Sequence, residues 1–446
     1  MLKSALYKSF MIYLLFSASA IFAKPIDLSV IFTKNDSLPA ISADKFISGD
    51  LRRSFKWLTK DKKQAHFPAY LNSYPVMFLG HKVWEVNIRF ADNKFRDAEI
   101  SFYNRGDAGQ IDEKKFKEML AGIDEKVSEW IPVKPKLMPK KRLPNNIGSI
   151  ETKVWVKGDL LASLIWSASN IKKSRDQKPE YIKLEISKLD PKKDPRKMYI
   201  PKSYSKKDKM NPKDSIKKNE NGDVFIDGIP MVDQGQKGYC AVAVTERILR
   251  YYGQDIDQHV IAEMATSSAE KGTNSGTMLD MVKKAGVKFK VKVKVYKAAM
   301  HSGELTRDMQ KYNKLLKRKK RPLVKIPPLN SNFFSSIYDQ IKRDIESFKE
   351  YKCEKCKTDY NRFRKTIIKS IDQGIPIVWG VTLGLIREGN FIPQTAGGHL
   401  RLIIGYNKKT DEIVFSDTWG ARHEFKKMEW KNAWCITTSY AAITPR

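Results

Sequence analysis

The chain has 446 residues, a formal net charge of +33, and 41% hydrophobic and 11% aromatic residues. That length exceeds one ordinary core, so two folded domains are expected, and the apolar content excludes a wholly disordered chain. So large a positive excess speaks to partners and not to fold. The first 23 residues decide how it is read. Lys3 and Lys8 precede an uncharged stretch from Ser9 to Ala23, and Ala18, Ser19, Ala20 and Ala23 supply small residues for cleavage. This is the layout of a secretory signal peptide, with an apolar run too short to span a bilayer. No cysteine precedes Cys240, which excludes a lipoprotein. An exported protein, periplasmic or extracellular, is expected, with no transmembrane domain once the signal is removed. Its basic segments then face anionic envelope polymers or lipid surfaces, and no nucleic acid.

Residues 24–190 are expected to form a smaller α+β accessory domain. In "HKVWEVNIRFAD", Val83, Glu85, Asn87 and Arg89 alternate with Trp84, Val86, Ile88 and Phe90, which predicts a half-buried strand. A turn at "DNK" leads to a second strand, "FRDAEISFYN". From Asp112, the apolar residues Phe116, Leu120, Ile123, Val127 and Ile131 recur at helical spacing. Three further strands are expected at "TKVWVKG", "LLASLIWSAS" and "EYIKLEISKL". His66 and His81 are isolated, and this half shows no catalytic cluster.

Residues 191–222 are predicted to be a basic linker. Between Pro191 and Lys218 there are eleven Lys/Arg against three acids. Such a segment buries too little to repay its ordering entropy. The second domain is placed at 223–446. A helix is expected over Ala241–Tyr252, closed by Gly253, with Val242, Ile248, Leu249 and Tyr252 buried. Helices are expected around "DQHVIAEMATS" and "GTNSGTMLDMVKKAG". "VKFKVKVKVY" then predicts a strand with Val287, Phe289, Val291, Val293 and Val295 on one face. Lys288, Lys290, Lys292 and Lys294 lie on the other, as a solvated face or a stripe for an acidic partner. Residues 296–365 are expected to be a basic helical insertion. It holds Cys353 and Cys356 as CxxC, which is too few ligands for zinc and fits a disulfide better in an oxidising compartment. "SIDQGIPIVWGVTLG" predicts a buried strand after Pro376. Cys435 in "NAWCITT" is expected in a late core strand as an inert thiol.

The chemistry centres on Cys240. It opens a helix, where unpaired N–H groups favour a thiolate. Far downstream, "GGHLRLIIGYNKKTDEIVFSDTWG" predicts a hairpin of strands Leu400–Tyr406 and Glu412–Ser416. His399 and Asp417 each lie about nine residues from Lys408, so they are expected opposite one another. A thiol, a base and a carboxylate that orients the base make a nucleophilic set. Gln234 offers an amide N–H which, with the backbone N–H of Cys240, suits an oxyanion hole. Gln236 stands two residues too near for that role. His423 is a rival base beyond the hairpin, and His259 and His301 have no evident carboxylate partner.

The motifs "QGQKGYCAVA", "GGHLRLIIGYN" and "SDTWG" resemble the glutamine, cysteine, histidine and aspartate motifs of papain-like cysteine peptidases. The likeness is nearest to the bacteriocin, or double-glycine, leader peptidase branch. It covers about residues 223–446, with Ala241 where that branch has glycine and no fused transporter. It implies an α+β fold in which an N-terminal helix carries the cysteine and an antiparallel sheet carries the histidine and aspartate. The implied roles are Cys240 nucleophile, His399 general base and acid, Asp417 orienter and Gln234 oxyanion donor. The implied activity is peptide-bond hydrolysis on a peptide or protein substrate through an acyl-enzyme, with no cofactor and no metal. The competing readings are a catalytically silent envelope binding module of the same fold, and a transamidating relative.

Overall fold

The computed structural model describes residues 25–33, 42–48, 51–189 apart from 53, 72–74, 144–147 and 171–176, and 211–446 apart from 236, 255, 257, 266–274, 285, 288, 331 and 390–396. The expected signal peptide, residues 191–210 of the expected linker, Gln236 and Lys288 therefore lie outside the described residues. The chain divides into two compact units. Among the described residues, the N-terminal one is drawn from those up to 189 together with Gly235, Lys237 and Gly238, and the C-terminal one from the remainder.

The N-terminal unit is built on a nine-stranded sheet. In spatial order its main path runs Lys56–Trp57, Gln64–Pro68, Glu85–Ala91, Lys94–Asn104, Gln177–Lys188, Leu160–Asn170, Gly148–Lys157 and Lys136–Leu137. The tight turn between the third and fourth strands places Asp92 and Asn93 at positive φ, a conformation these two residue types tolerate. Glu85–Ala91 departs from simple alternation because both of its faces are covered. Val86, Ile88 and Phe90 enter the core, while the Oδ1 of buried Asn87 meets His66 Nδ1 at 3.0 Å on the other face. The one long helix among its described residues, Glu113–Trp130, starts where the Asp112 carboxylate accepts from Lys115 N. Its buried stripe is Phe116, Ile123 and Val127, with Leu120 only partly covered.

The C-terminal unit opens earlier than expected. Ile216–Lys218, inside the predicted linker, pair with Asp223–Ile226 at one edge of an antiparallel sheet. That sheet continues through Gly397–Asn407, Ile377–Leu383 and Thr437–Pro445 to the edge strand Val291–Lys297. Glu412–Ser416 also pairs with Gly397–Asn407, and Lys426–Glu429 pairs with Glu412–Ser416.

Two apolar layers flank this sheet. One contains the cysteine helix, Cys240–Tyr251, with the helices Gln258–Met264 and Ser275–Lys284. The other contains Ser302–Arg318, Phe333–Lys342, Ile345–Glu350 and Lys357–Ile371. Residues 296–365 are thus helical, as expected, but they are no pendant insertion. Leu305, Met309, Ile337 and Phe363 share one core with Trp379, Ile403 and Phe415 of the sheet. Two other expectations are corrected. The lysine-rich strand begins only at Val291, so Val287 is exposed in the turn before it, and Val295 is exposed on a strand that lies at the sheet edge. Lys292 and Lys294 face solvent there, charges of the kind that keep an open edge from pairing with another chain. Cys435 lies in a helix, Trp430–Ile436, and not in a strand. The strand starts at Thr437, whose hydroxyl donates to Ala433 O as the helix ends.

Candidate active site

Cys240 is the first residue of its helix. Gly238, at φ +68°, turns the chain into it, and Gly253, at φ +78°, ends it with Gly253 N on Arg250 O and Gln254 N on Leu249 O. Alanine, leucine, glutamate and arginine favour the helix between. It is buried almost all round, far beyond a single stripe. Val242, Ile248 and Leu249 are fully covered, each stabilising the fold by about 1.5–3 kcal/mol.

The histidine strand and its return strand meet in a register that differs from the one expected. Asn407 faces Glu412, but a bulge between Ile403 and Gly405 shifts the pairing, and Leu402 faces Ser416. Continuing that register sets Arg401, not His399, across from Asp417. His399 reaches Asp417 on the diagonal, Nε2 to Oδ1 at 2.6 Å. Both side chains are buried. The ring nitrogen left over is Nδ1, and the Cys240 thiol interacts with the same imidazole.

The electrostatics follow from these contacts. Burial pushes the Cys240 thiol up, but the hydrogen bond and charge of His399, with the backbone N–H groups of Leu400 and Ala241, outweigh it and bring the thiol below its ordinary value. Burial pushes His399 down, yet the Asp417 charge and hydrogen bond, with the Cys240 contact, raise it to about 9. Asp417 is likewise pushed up by burial, but Arg401, His399 and Lys426 hold it well below the usual carboxylate range. At neutral pH His399 is an imidazolium and Asp417 a carboxylate, and both the contact with His399 and the nearby backbone N–H groups shift Cys240 toward its thiolate form.

Gln234 is drawn to the same place. Its backbone N donates to Thr418 O at 2.8 Å, and its side-chain Oε1 accepts from the Thr418 hydroxyl. The amide therefore turns its Nε2 end, the donor, away from Thr418. His423 is not brought to the thiol. It is buried against Trp419, and burial, then Lys426, lowers it to about 4, so it is neutral where a base paired with Cys240 would be charged. His301 caps a helix by accepting from Glu304 N, and His259 is buried beside Tyr239.

Three residues of this site escaped the sequence reading. Arg401, fully buried, pairs its Nε with Asp417 Oδ2 at 2.8 Å and its Nη1 with Glu388 at 2.8 Å. Arg247, on the cysteine helix, donates to Asp417 O at 2.7 Å and to Ser416 Oγ at 2.6 Å, which ties that helix to the aspartate. Trp419 stacks on the His399 ring, centroids 4.5 Å apart and planes within 7°, covering the imidazole. Two buried arginines in core-like segments were the available signal, since unpaired buried charge is prohibitively costly.

All four cysteines are free thiols. The expected bond between Cys353 and Cys356 is absent. Cys353 is buried against Cys435, whereas Cys356 lies half-buried beside the Tyr351 hydroxyl. Among the described residues no group of three or more His, Cys, Asp or Glu is placed to hold a metal ion. Among them, too, no helix is long and apolar enough to cross a membrane.

Residues 325–442 match the Peptidase_C39 like family, a stretch that holds His399 and Asp417. The C-terminal region is C39-peptidase-like. The match begins inside the helical layer, in keeping with a core that those helices share with the sheet. No curated protein matches the chain. Among solved structures, xylellain, a cysteine protease from Xylella fastidiosa, is similar at 13% identity over 55% of this chain and 92% of that one, with a TM-score of 0.22.

Proposed function

We propose that the C-terminal unit is a thiol peptidase of papain-like arrangement, with Cys240 as nucleophile, His399 as base and acid, Asp417 as orienter and Gln234 as oxyanion donor. The observation that carries it is His399 held between the Cys240 thiol and Asp417, 2.6 Å from the carboxylate. The thiolate attacks a peptide carbonyl carbon. The resulting oxyanion faces the Cys240 backbone N–H at the helix start and the Gln234 amide N–H. His399 gives its Nδ1 proton to the leaving amine as the C–N bond breaks and a thioester forms. Water then attacks the thioester, His399 takes its proton, and the acid product leaves Cys240. Asp417 keeps the ring aimed throughout and stabilises the imidazolium in the stages where it is charged, without taking the proton itself.

The chain is further proposed to be exported, on the strength of the charged, apolar and small-residue order of residues 1–23. The test of activity is a peptidyl electrophile with a reporter group, followed by peptide mapping. Modification of Cys240, lost in His399→Ala, is the expected result. Labelling spread equally over Cys240, Cys353 and Cys356 would remove the assignment. Export is tested separately, by fractionation of cells and N-terminal sequencing of the mature chain.

A further inference from the structure

The sulfur chemistry of the C-terminal unit extends beyond Cys240. Residues Tyr351–Lys355 wind as a π-helical turn, between the helix ending at Glu350 and the one starting at Lys357. This turn projects Cys353 into the core, 4% exposed. There its Sγ lies 3.9 Å from Lys431 O. Lys431 is one helical turn before Cys435, so Cys353 sits over the turn of Trp430–Ile436 that carries the second thiol. Cys435 is 5% exposed and its thiol interacts with that of Cys353. The two segments are held together on either side of the thiols. Trp434 Nε1 donates to Lys352 O at 3.1 Å, and the Lys352 ammonium lies over the Trp434 ring at 5.0 Å.

We propose that Cys353 and Cys435, and not the CxxC pair, form a disulfide when the chain meets an oxidising disulfide such as oxidised glutathione. The pair is already differentiated for exchange. The hydrogen bond from Cys435 and the charges of Lys431 and Lys352 favour the thiolate on Cys353, while that bond and burial keep the proton on Cys435. Cys353 thiolate attacks a sulfur of oxidised glutathione, which expels one glutathione thiolate and leaves a mixed disulfide. Cys435 then loses its proton and attacks the Cys353 sulfur, which expels the second glutathione. Two protein thiols are oxidised and one glutathione disulfide is reduced to two thiols, so electrons and protons balance. The product links the helical layer at Tyr351–Lys355 to Trp430–Ile436. The latter runs directly into Thr437–Pro445, the strand that flanks Ile377–Leu383 and, through it, the His399 strand. The bond would brace the sheet that holds the histidine without touching the reacting atoms. It stands whether or not Cys240 is a nucleophile.

Full-length Cys240→Ala protein is incubated with oxidised glutathione until thiol loss stops. It is then denatured with excess N-ethylmaleimide at acid pH and mapped without reduction. The expected result is a linked peptide pair containing Cys353 and Cys435, with Cys356 alkylated. A bond between Cys353 and Cys356, or alkylation of all three, overturns the proposal. Cys356→Ser should keep the link, and its loss there also overturns it. In Cys356→Ser the oxidised form should melt roughly 10 °C above the reduced form, as expected for closing so long a loop without strain. An unchanged or lowered midpoint would mean that the linkage is not native.

Discussion

Asp417 gives each of its two oxygens two partners: Oδ1 takes His399 Nε2 and Thr418 N, and Oδ2 faces Arg401 and, at 3.9 Å, Lys426. Its negative charge is what lifts His399 to about 9, so removing the charge while keeping the shape isolates that effect. In Asp417→Asn an acceptor remains and activity should survive at a reduced level. The alkaline fall of kcat/KM, set near pH 9 by loss of the His399 proton, should move toward the usual histidine range. The acid rise follows the Cys240 thiol, which lies below its ordinary value. A pH profile unchanged in its alkaline limb would show that Asp417 does not govern the imidazole. Cys240→Ala should abolish turnover and His399→Ala nearly so, while Gln234→Ala should lower kcat about 10²-fold by removing one oxyanion donor. Arg401 is a positioning residue in the same network. Arg401→Met removes the fully buried counter-charge on Asp417 Oδ2 and leaves His399 and Lys426, which costs up to about 3–5 kcal/mol. The double variant with Asp417→Asn should recover part of that loss, since the stranded charge is gone. Urea midpoints of the four proteins decide this, and strictly additive losses would mean that the two residues are not coupled.

The bulge between Ile403 and Gly405 is the element that sets the site. It offsets the two strands so that His399 meets Asp417 diagonally while Arg401 takes the position across from it. Gly405 is required there by proximity. A Cβ on it would stand 2.5 Å from Val224 O and 2.7 Å from Phe225 Cβ of the neighbouring strand. Gly405→Ala must push that strand away, at a cost of about 1–3 kcal/mol. It should also reduce kcat more than it changes KM, because the disturbed strand carries His399. A variant with wild-type stability and turnover would show that the neighbouring strand yields freely. The cysteine helix has no comparable slack. Arg247 fixes it to Ser416 and the Asp417 backbone, so helix and hairpin are expected to move as one body.

At the scale of the whole molecule, stability should depend on pH in a direction set by the buried groups. Asp417 is held well below the usual carboxylate range and His423 is lowered to about 4. For both, the unfolded chain binds protons more readily than the folded one. The stability each contributes is therefore present above its unfolded value and lost as pH falls through its folded value. For His423 that window runs from about pH 6.5 down to about 4. The melting midpoint should fall across it, and His423→Gln should flatten that part of the curve. An identical slope in the variant would assign the acid sensitivity to other groups. His399 acts in the opposite sense. Its raised value stabilises the fold below about pH 6.5, and that contribution is lost as pH rises through about 9.

The order of residues along the chain was enough to expose what depends on local pattern. Alternation and turn chemistry located the five longest strands of the N-terminal unit and the hairpin and buried strands of the C-terminal sheet, a cysteine at a helix start marked the thiol, and nearly equal distances from one turn paired His399 with Asp417. A bulge leaves no mark on hydrophobic periodicity, so the actual register, and with it the place of Arg401, needed the folded sheet. Burial by distant segments was equally hidden. The helices of residues 296–365 looked like an insertion because their apolar stripes do not say which surface they meet, and only the closed core shows that they cover the sheet. The cysteines show the same division. Sequence proximity suggested Cys353 with Cys356, but a sulfur's neighbour is set by packing, and the fold carries Cys435 across 82 residues to Cys353.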